Sequence, residues 1–94
     1  MRSRQHLDLL AQQVIDAAIE VANTLGPGFL EKVYEGALAY ELELRCVKAV
    51  VQPALQVSYK GLMVGSYSPD IFVEDQLLVE LKCVNTWADE HVAQ

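Results

Sequence analysis

The spacing of apolar residues predicts two helices in the first half of the chain. Between about Leu7 and Leu25 the apolar positions recur at the period of an amphipathic helix. Gly26-Pro27-Gly28 should end this helix, because glycine tolerates left-handed geometry and proline cannot continue the hydrogen bonding. A second helix is predicted from about Phe29 to Arg45, so the chain opens with two helices joined by a tight turn.

The second half of the chain has the alternation of polar and apolar residues that is typical of strands. A β-branched segment, Val47 to Gln52, is followed by two alternating segments around a Lys60-Gly61 turn. Tyr59 and Tyr67 in those segments are expected to pack on the sheet rather than to act as platforms on which bases stack. Residues 70–74 and 77–83 predict two further strands. The whole pattern predicts an α/β (α+β) domain with N-terminal helices packed on a mixed or antiparallel sheet of about four strands.

The length of the last turn decides which side chains share a face of the sheet. A two-residue loop would place Asp70 opposite Leu81, and burial of one face disfavours such mixing of charged and apolar residues. A three-residue loop at residues 74–76 instead places Asp70 opposite Glu80. The polar face then carries Asp70, Glu80 and Lys82, and the apolar face turns toward the helices.

Two carboxylates beside a lysine suit a hard divalent cation. Directly opposed residues have Cβ atoms about 4.5–5.5 Å apart, so Asp70 and Glu80 would repel each other without a positive charge. Mg²⁺ binds oxygen ligands and substrate phosphates together. Lys82 would orient or activate a water molecule, or stabilise a phosphate anion. The alternative is an ordinary solvated face with a Glu–Lys pair.

Two motifs resemble those of a known nuclease superfamily. Pro69-Asp70 followed by Glu80-Leu81-Lys82 resembles the PD-(D/E)XK signature of restriction-endonuclease-like nucleases. Upstream, residues 28–34 read GFLEKVY and resemble the GxxExxY pattern of a small family in that superfamily. The resemblance runs from about Val14 to Gln94. It implies a restriction-endonuclease-like core that hydrolyses phosphodiester bonds of DNA or RNA with Mg²⁺ or Mn²⁺.

The resemblance also implies roles for five side chains. Asp70 and Glu80 would be metal ligands, and Glu31 would be an auxiliary acid that helps to bind the metal. Lys82 would stabilise charge or orient water, and Gln94 would support the site from a third helix. A local role for Glu31 stays open, because an acid in the first turn of a helix is also stabilised by the helix dipole.

Length predicts a single domain, and hydropathy predicts that part of its apolar surface is not covered by the chain itself. Ninety-four residues suffice for one modest core, so residues 1–94 are expected to form one nuclease-like domain. In the resembled family the helix that should begin near Trp87 continues and is followed by a strand, and we expect both to be truncated here. The chain is 52% hydrophobic. Self-association covering the truncated flank is therefore expected more than for an average small domain.

Charge and cysteine content leave a second function open. A net charge of −6 argues against general nucleic-acid binding, which depends on Lys and Arg. The alternative is thus a catalytically inactive nuclease-like module for binding or assembly. Cys46 and Cys83 have no metal-ligand spacing, and no signal peptide or membrane-spanning apolar run is apparent. We expect both cysteines to be reduced and packed, in a cytoplasmic protein without a membrane.

Overall fold

The structure is a computed structural model that describes residues 4–82. This part of the chain contains two helices and five strands. In chain order they are α1 (Arg4–Leu25), α2 (Glu31–Leu44), β1 (Ala49–Val51), β2 (Leu55–Tyr59), β3 (Leu62–Tyr67), β4 (Ile71–Val73) and β5 (Leu77–Val79). The predicted third helix, Cys83 and Gln94 lie outside the described residues. No helix within residues 4–82 is long and apolar enough to cross a membrane.

The turn between the helices is built as the glycines predict. Helix α1 ends at Leu25, and Gly26 and Gly28 follow with φ of +74° and +105°. The Tyr34 hydroxyl donates a 2.7 Å hydrogen bond to the Gly26 carbonyl and accepts one of 3.1 Å from the Phe29 N–H. Tyr34 therefore fastens the start of α2 to the end of α1, which is a structural role.

A three-stranded antiparallel sheet lies against the helices in the order β1-β4-β5. The central strand β4 contributes Ile71 and Val73, which are fully buried. They pack with a cluster drawn from both helices and the loop before β1: Leu10, Val14, Ala17, Val21, Leu38, Leu42 and Val47. The predicted fold class is confirmed, since helices cover one face of an antiparallel sheet in an α+β arrangement.

Strands β2 and β3 form a separate antiparallel hairpin, the β2–β3 hairpin. It leaves the three-stranded sheet after β1 and returns just before β4. No residue of either strand is buried. The expectation that Tyr59 and Tyr67 pack on the sheet is therefore wrong, because the hairpin carries both side chains away from the core and leaves them exposed. Cys46, expected to be packed, is likewise exposed and is a free thiol.

Candidate metal centre

The β4–β5 register places Asp70 and Glu80 at matching positions. Ile71 pairs with Val79 and Val73 with Leu77, as the three-residue loop predicts. The loop closes because Glu74 and Asp75 adopt left-handed geometry, with φ of +53° and +58°. One step beyond the Ile71–Val79 pair, the same register brings Asp70 opposite Glu80. Asp70 and Glu80 together form the carboxylate pair.

Asp70 is held by the ends of two neighbouring strands. Its Oδ2 accepts a 2.6 Å hydrogen bond from the Leu81 N–H, beyond the end of β5. Its carbonyl oxygen accepts a 2.9 Å hydrogen bond from the Gln52 N–H, just after β1. The side chain is half-buried. These contacts fix the Asp70 carboxylate, and within residues 4–82 its Oδ1 receives no hydrogen bond.

Glu80 is exposed, and its carboxylate is oriented by the β2–β3 hairpin. The Tyr67 hydroxyl donates a 2.5 Å hydrogen bond to Glu80 Oε2. This hydrogen bond is the largest cause that raises the pKa of Tyr67 above its usual value, and the negative charges of Glu80 and Asp70 add to it. Both carboxylates thus act on one phenol. The carboxylate pair therefore shares the face of the sheet that lies away from the core.

The structure does not gather the other predicted site residues around the carboxylate pair in the same way. Lys82 is exposed and lies two residues after Glu80, beyond the end of β5. Glu31 is the first residue of α2 and is half-buried. Among residues 4–82, no three His, Cys, Asp or Glu side chains come close enough to hold a metal ion together. Within that range the structure brings Asp70 and Glu80 together and does not add Glu31 to them, while Gln94 is outside it.

A buried acid in α2 lies one helical turn from Glu31 and was not among the predicted site residues. Glu35 is only 5% exposed, and its Oε2 accepts a 3.1 Å hydrogen bond from Gln52 Nε2. The backbone N–H of the same Gln52 binds the Asp70 carbonyl. Glu35 is therefore connected to the carboxylate pair through one residue. The sequence did carry a signal, because Glu35 falls in line with the buried Leu38 and Leu42.

The acids in the β4–β5 turn have structural contacts. Glu74 Oε2 accepts a 2.7 Å hydrogen bond from the Lys48 N–H, and Asp75 Oδ2 lies 3.0 Å from Lys48 Nζ. These contacts tie the turn to the residue before β1. Glu74 and Asp75 therefore stabilise the turn at the opposite end of the strands from the carboxylate pair.

Comparison with known proteins agrees with this architecture. The sequence profile of the PD-(D/E)XK nuclease superfamily matches residues 8–94, which is nearly the whole chain. No curated protein and no solved structure matches the chain significantly. Members of the matched superfamily are generally nucleases that cleave phosphodiester bonds. The α+β fold is consistent with this match, and Pro69-Asp70 directly precedes β4 while Glu80-Leu81-Lys82 directly follows β5. The match over residues 8–94 establishes that this chain belongs to the PD-(D/E)XK nuclease superfamily.

Proposed function

We propose that the chain hydrolyses phosphodiester bonds of nucleic acid in a reaction that depends on a divalent metal ion. The observation that carries this proposal is the carboxylate pair, which the β4–β5 register places at matching positions, with Lys82 two residues after Glu80. Membership of the nuclease superfamily supports it independently. The proposal gives Asp70 and Glu80 the role of metal ligands.

The chemistry of the pair fits Mg²⁺ or Mn²⁺. Both groups supply hard carboxylate oxygens, and each has one oxygen that receives no hydrogen bond from the described residues. Mg²⁺ is commonly held by one or two carboxylates, with water and substrate phosphate completing its coordination. When bound, the cation supplies positive charge that stabilises the charge developing on the phosphate oxygens. Two carboxylates, together with water and a substrate phosphate, would therefore supply enough oxygen ligands for Mg²⁺.

The remaining proposed roles follow from position and charge. Lys82 has no ion-pair partner within residues 4–82, so its ammonium group is available to a phosphate oxygen or to the attacking water. Glu31 is proposed as the auxiliary acid from the resemblance of residues 28–34 to the GxxExxY pattern. Gln94 is proposed as a supporting residue from the family resemblance alone.

Cleavage assays on labelled single-stranded DNA, duplex DNA and RNA test the proposal. Asp70→Asn and Glu80→Gln should each lower the Mg²⁺-dependent rate by at least about 100-fold, since the metal contributes several kcal/mol. Lys82→Ala should also lower it. Matched controls are Glu43→Gln and Lys32→Ala, which alter exposed charges on α2. If the first three variants cleave as well as the two controls, the assignment of roles is wrong.

Binding without hydrolysis is the second candidate function, and the net charge of −6 favours it. Isothermal titration calorimetry with Mg²⁺ or Mn²⁺ separates the two functions. Saturable binding that is lost in the Asp70→Asn/Glu80→Gln double variant supports the metal-dependent enzyme. Absence of binding, or binding unchanged in the double variant, supports the inactive module.

A further inference from the structure

The β2–β3 hairpin presents an uncovered apolar and aromatic face. Its register pairs Leu55 with Tyr67 and Tyr59 with Leu62, so these four side chains share one face. Tyr59, Leu62 and Tyr67 are exposed, as are further apolar residues of the hairpin, Val57, Met63 and Val64. Isolated two-stranded hairpins are marginally stable, and contiguous exposed apolar surface marks interaction sites. The hairpin therefore has the character of a binding arm.

The charge distribution selects the partner that this arm can accept. The chain carries a net charge of −6, yet residues 44–69 contain three cations and no Asp or Glu. Two of the cations, Arg45 and Lys48, are paired with Glu41 and Asp75. The third, Lys60 at the hairpin tip, has its Nζ 5.3 Å from the centre of the Tyr59 ring. A polyanion lying along the hairpin thus meets a cation and aromatic rings and no carboxylate of the hairpin itself, until it reaches Glu80 and Asp70 beside Tyr67 at the base.

The arm is continuous with the carboxylate pair. Strand β3 runs from the tip at Leu62 to Tyr67, a length of roughly 17 Å. Tyr67 then contacts Glu80 through its hydroxyl. A strand held along this face would therefore reach the carboxylate pair at the base of the hairpin.

We infer that the β2–β3 hairpin binds a single-stranded segment of nucleic acid and leads it to the carboxylate pair. The inference rests on the proposed function and names the form of its substrate. Unpaired bases stack on exposed aromatic rings with little dependence on sequence, as Tyr59 and Tyr67 allow. Duplex binding depends on many phosphate contacts, and residues 55–67 of the arm offer a single cation, Lys60, for them. A second copy of this chain is the rival occupant of the same face.

Fluorescence anisotropy with a labelled oligothymidine and with a labelled duplex, in EDTA to prevent cleavage, tests this inference. The full chain should bind the single strand more tightly than the duplex. Tyr59→Ala should weaken single-strand binding about 5-fold or more, the effect expected for one lost stacking platform. Tyr40→Ala is a matched control, because Tyr40 is 61% exposed and Tyr59 is 62% exposed. Lys60→Gln and its control Lys32→Gln separate the effect of charge in the same way.

Three outcomes would contradict this inference. The full chain could fail to bind the single strand, or Tyr59→Ala and Tyr40→Ala could lose the same amount of single-strand affinity. The third is a dimer that Tyr59→Ala dissociates without altering oligonucleotide affinity. Circular dichroism melting confirms that each variant is folded. If Tyr59→Ala binds normally while Asp70→Asn abolishes cleavage, the arm fails and the proposed function stands. If Tyr59→Ala alone loses binding but nothing is cleaved, the arm stands and hydrolysis fails.

Discussion

The Tyr67 hydroxyl donates a hydrogen bond to Glu80 Oε2, and this hydrogen bond joins the β2–β3 hairpin to the carboxylate pair. Tyr67 ends β3, whereas Glu80 directly follows β5 in the other sheet. Because Tyr67 lies in β3, its hydrogen bond to Glu80 Oε2 also orients the other carboxylate oxygen, Oε1. The position of the hairpin and the orientation of a proposed metal ligand are therefore coupled.

The coupling predicts an unusual tyrosine titration. Tyr67 should ionise above the usual pKa of about 10, because its hydroxyl donates a hydrogen bond to the Glu80 carboxylate and the negative charges of Glu80 and Asp70 oppose its ionisation. Glu80→Gln should lower that pKa, and Tyr67→Phe should remove the step, both measured by ultraviolet difference spectroscopy. Since the pKa of Tyr67 is raised in the folded state, its stabilisation is present below about pH 10 and is lost as the pH rises through the raised value. A titration unchanged by Glu80→Gln, as in the control Glu43→Gln, would contradict the coupling.

Asp70 should show separate structural and charge-dependent roles. Asp70→Ala removes the acceptor of the Leu81 N–H and should lower the free energy of unfolding by roughly 1–3 kcal/mol. Asp70→Asn keeps an acceptor oxygen and relieves the repulsion with Glu80, so without Mg²⁺ it should be at least as stable as the parent, while still abolishing Mg²⁺ binding. Thermal melting with and without excess Mg²⁺ measures both effects. If Asp70→Asn is more stable than the parent even in excess Mg²⁺, the carboxylate pair is only a structural feature.

The two acids of α2 should differ in their effect on cleavage. Glu31→Gln should lower the Mg²⁺-dependent rate by about 10-fold, as expected for a group that supports a metal site. Glu35→Gln should leave the rate close to that of the parent, because Glu35 is buried and can still accept the Gln52 hydrogen bond as an amide. Single-turnover cleavage rates provide the comparison. The reverse result would assign the auxiliary role to Glu35.

Tyr34 should matter for stability and not for cleavage. Tyr34→Phe removes the hydrogen bond to the Gly26 carbonyl and should cost about 1 kcal/mol. For a domain of this size that loss lowers the melting temperature by about 4–8 °C. Tyr40→Phe is the matched control, since Tyr40 is exposed on the same helix. A loss of Mg²⁺ affinity in Tyr34→Phe without a change in melting temperature would show that Tyr34 belongs to the site.

The parts of the fold that local rules determine were predictable from the sequence. Left-handed geometry at Gly26 and Gly28 ended α1 as expected, and the parity of apolar residues specified the β4–β5 register. The Asp70–Glu80 register followed from the same parity. The family was identifiable from residues 69–70 and 80–82, and the match to residues 8–94 confirms the superfamily.

Features that depend on tertiary contacts were not predictable in the same way. Alternation in β2 and β3 predicts a half-buried surface, but the hairpin departs from the core and leaves Tyr59 exposed. Alternation specifies which residues share a face and does not specify what covers that face. Glu35 was missed because an acid in an apolar stripe becomes interpretable only when its partner, Gln52, is known. The pairing of Tyr67 with Glu80 also depends on how two separate sheets meet.

The departure of the hairpin from the central sheet has a consequence for how the chain reaches its native state. Strand β1 must find β4 across an intervening excursion of residues 52–70. Residues 52–70 can form the β2–β3 hairpin locally around the Lys60-Gly61 turn, and this brings Gln52 and Asp70 close together at its base. Closing a loop that is already shortened costs less entropy than closing a flexible one. Early formation of this hairpin should therefore speed the pairing of β1 with β4. A mutation that weakens the Lys60-Gly61 turn would slow folding more than it accelerates unfolding.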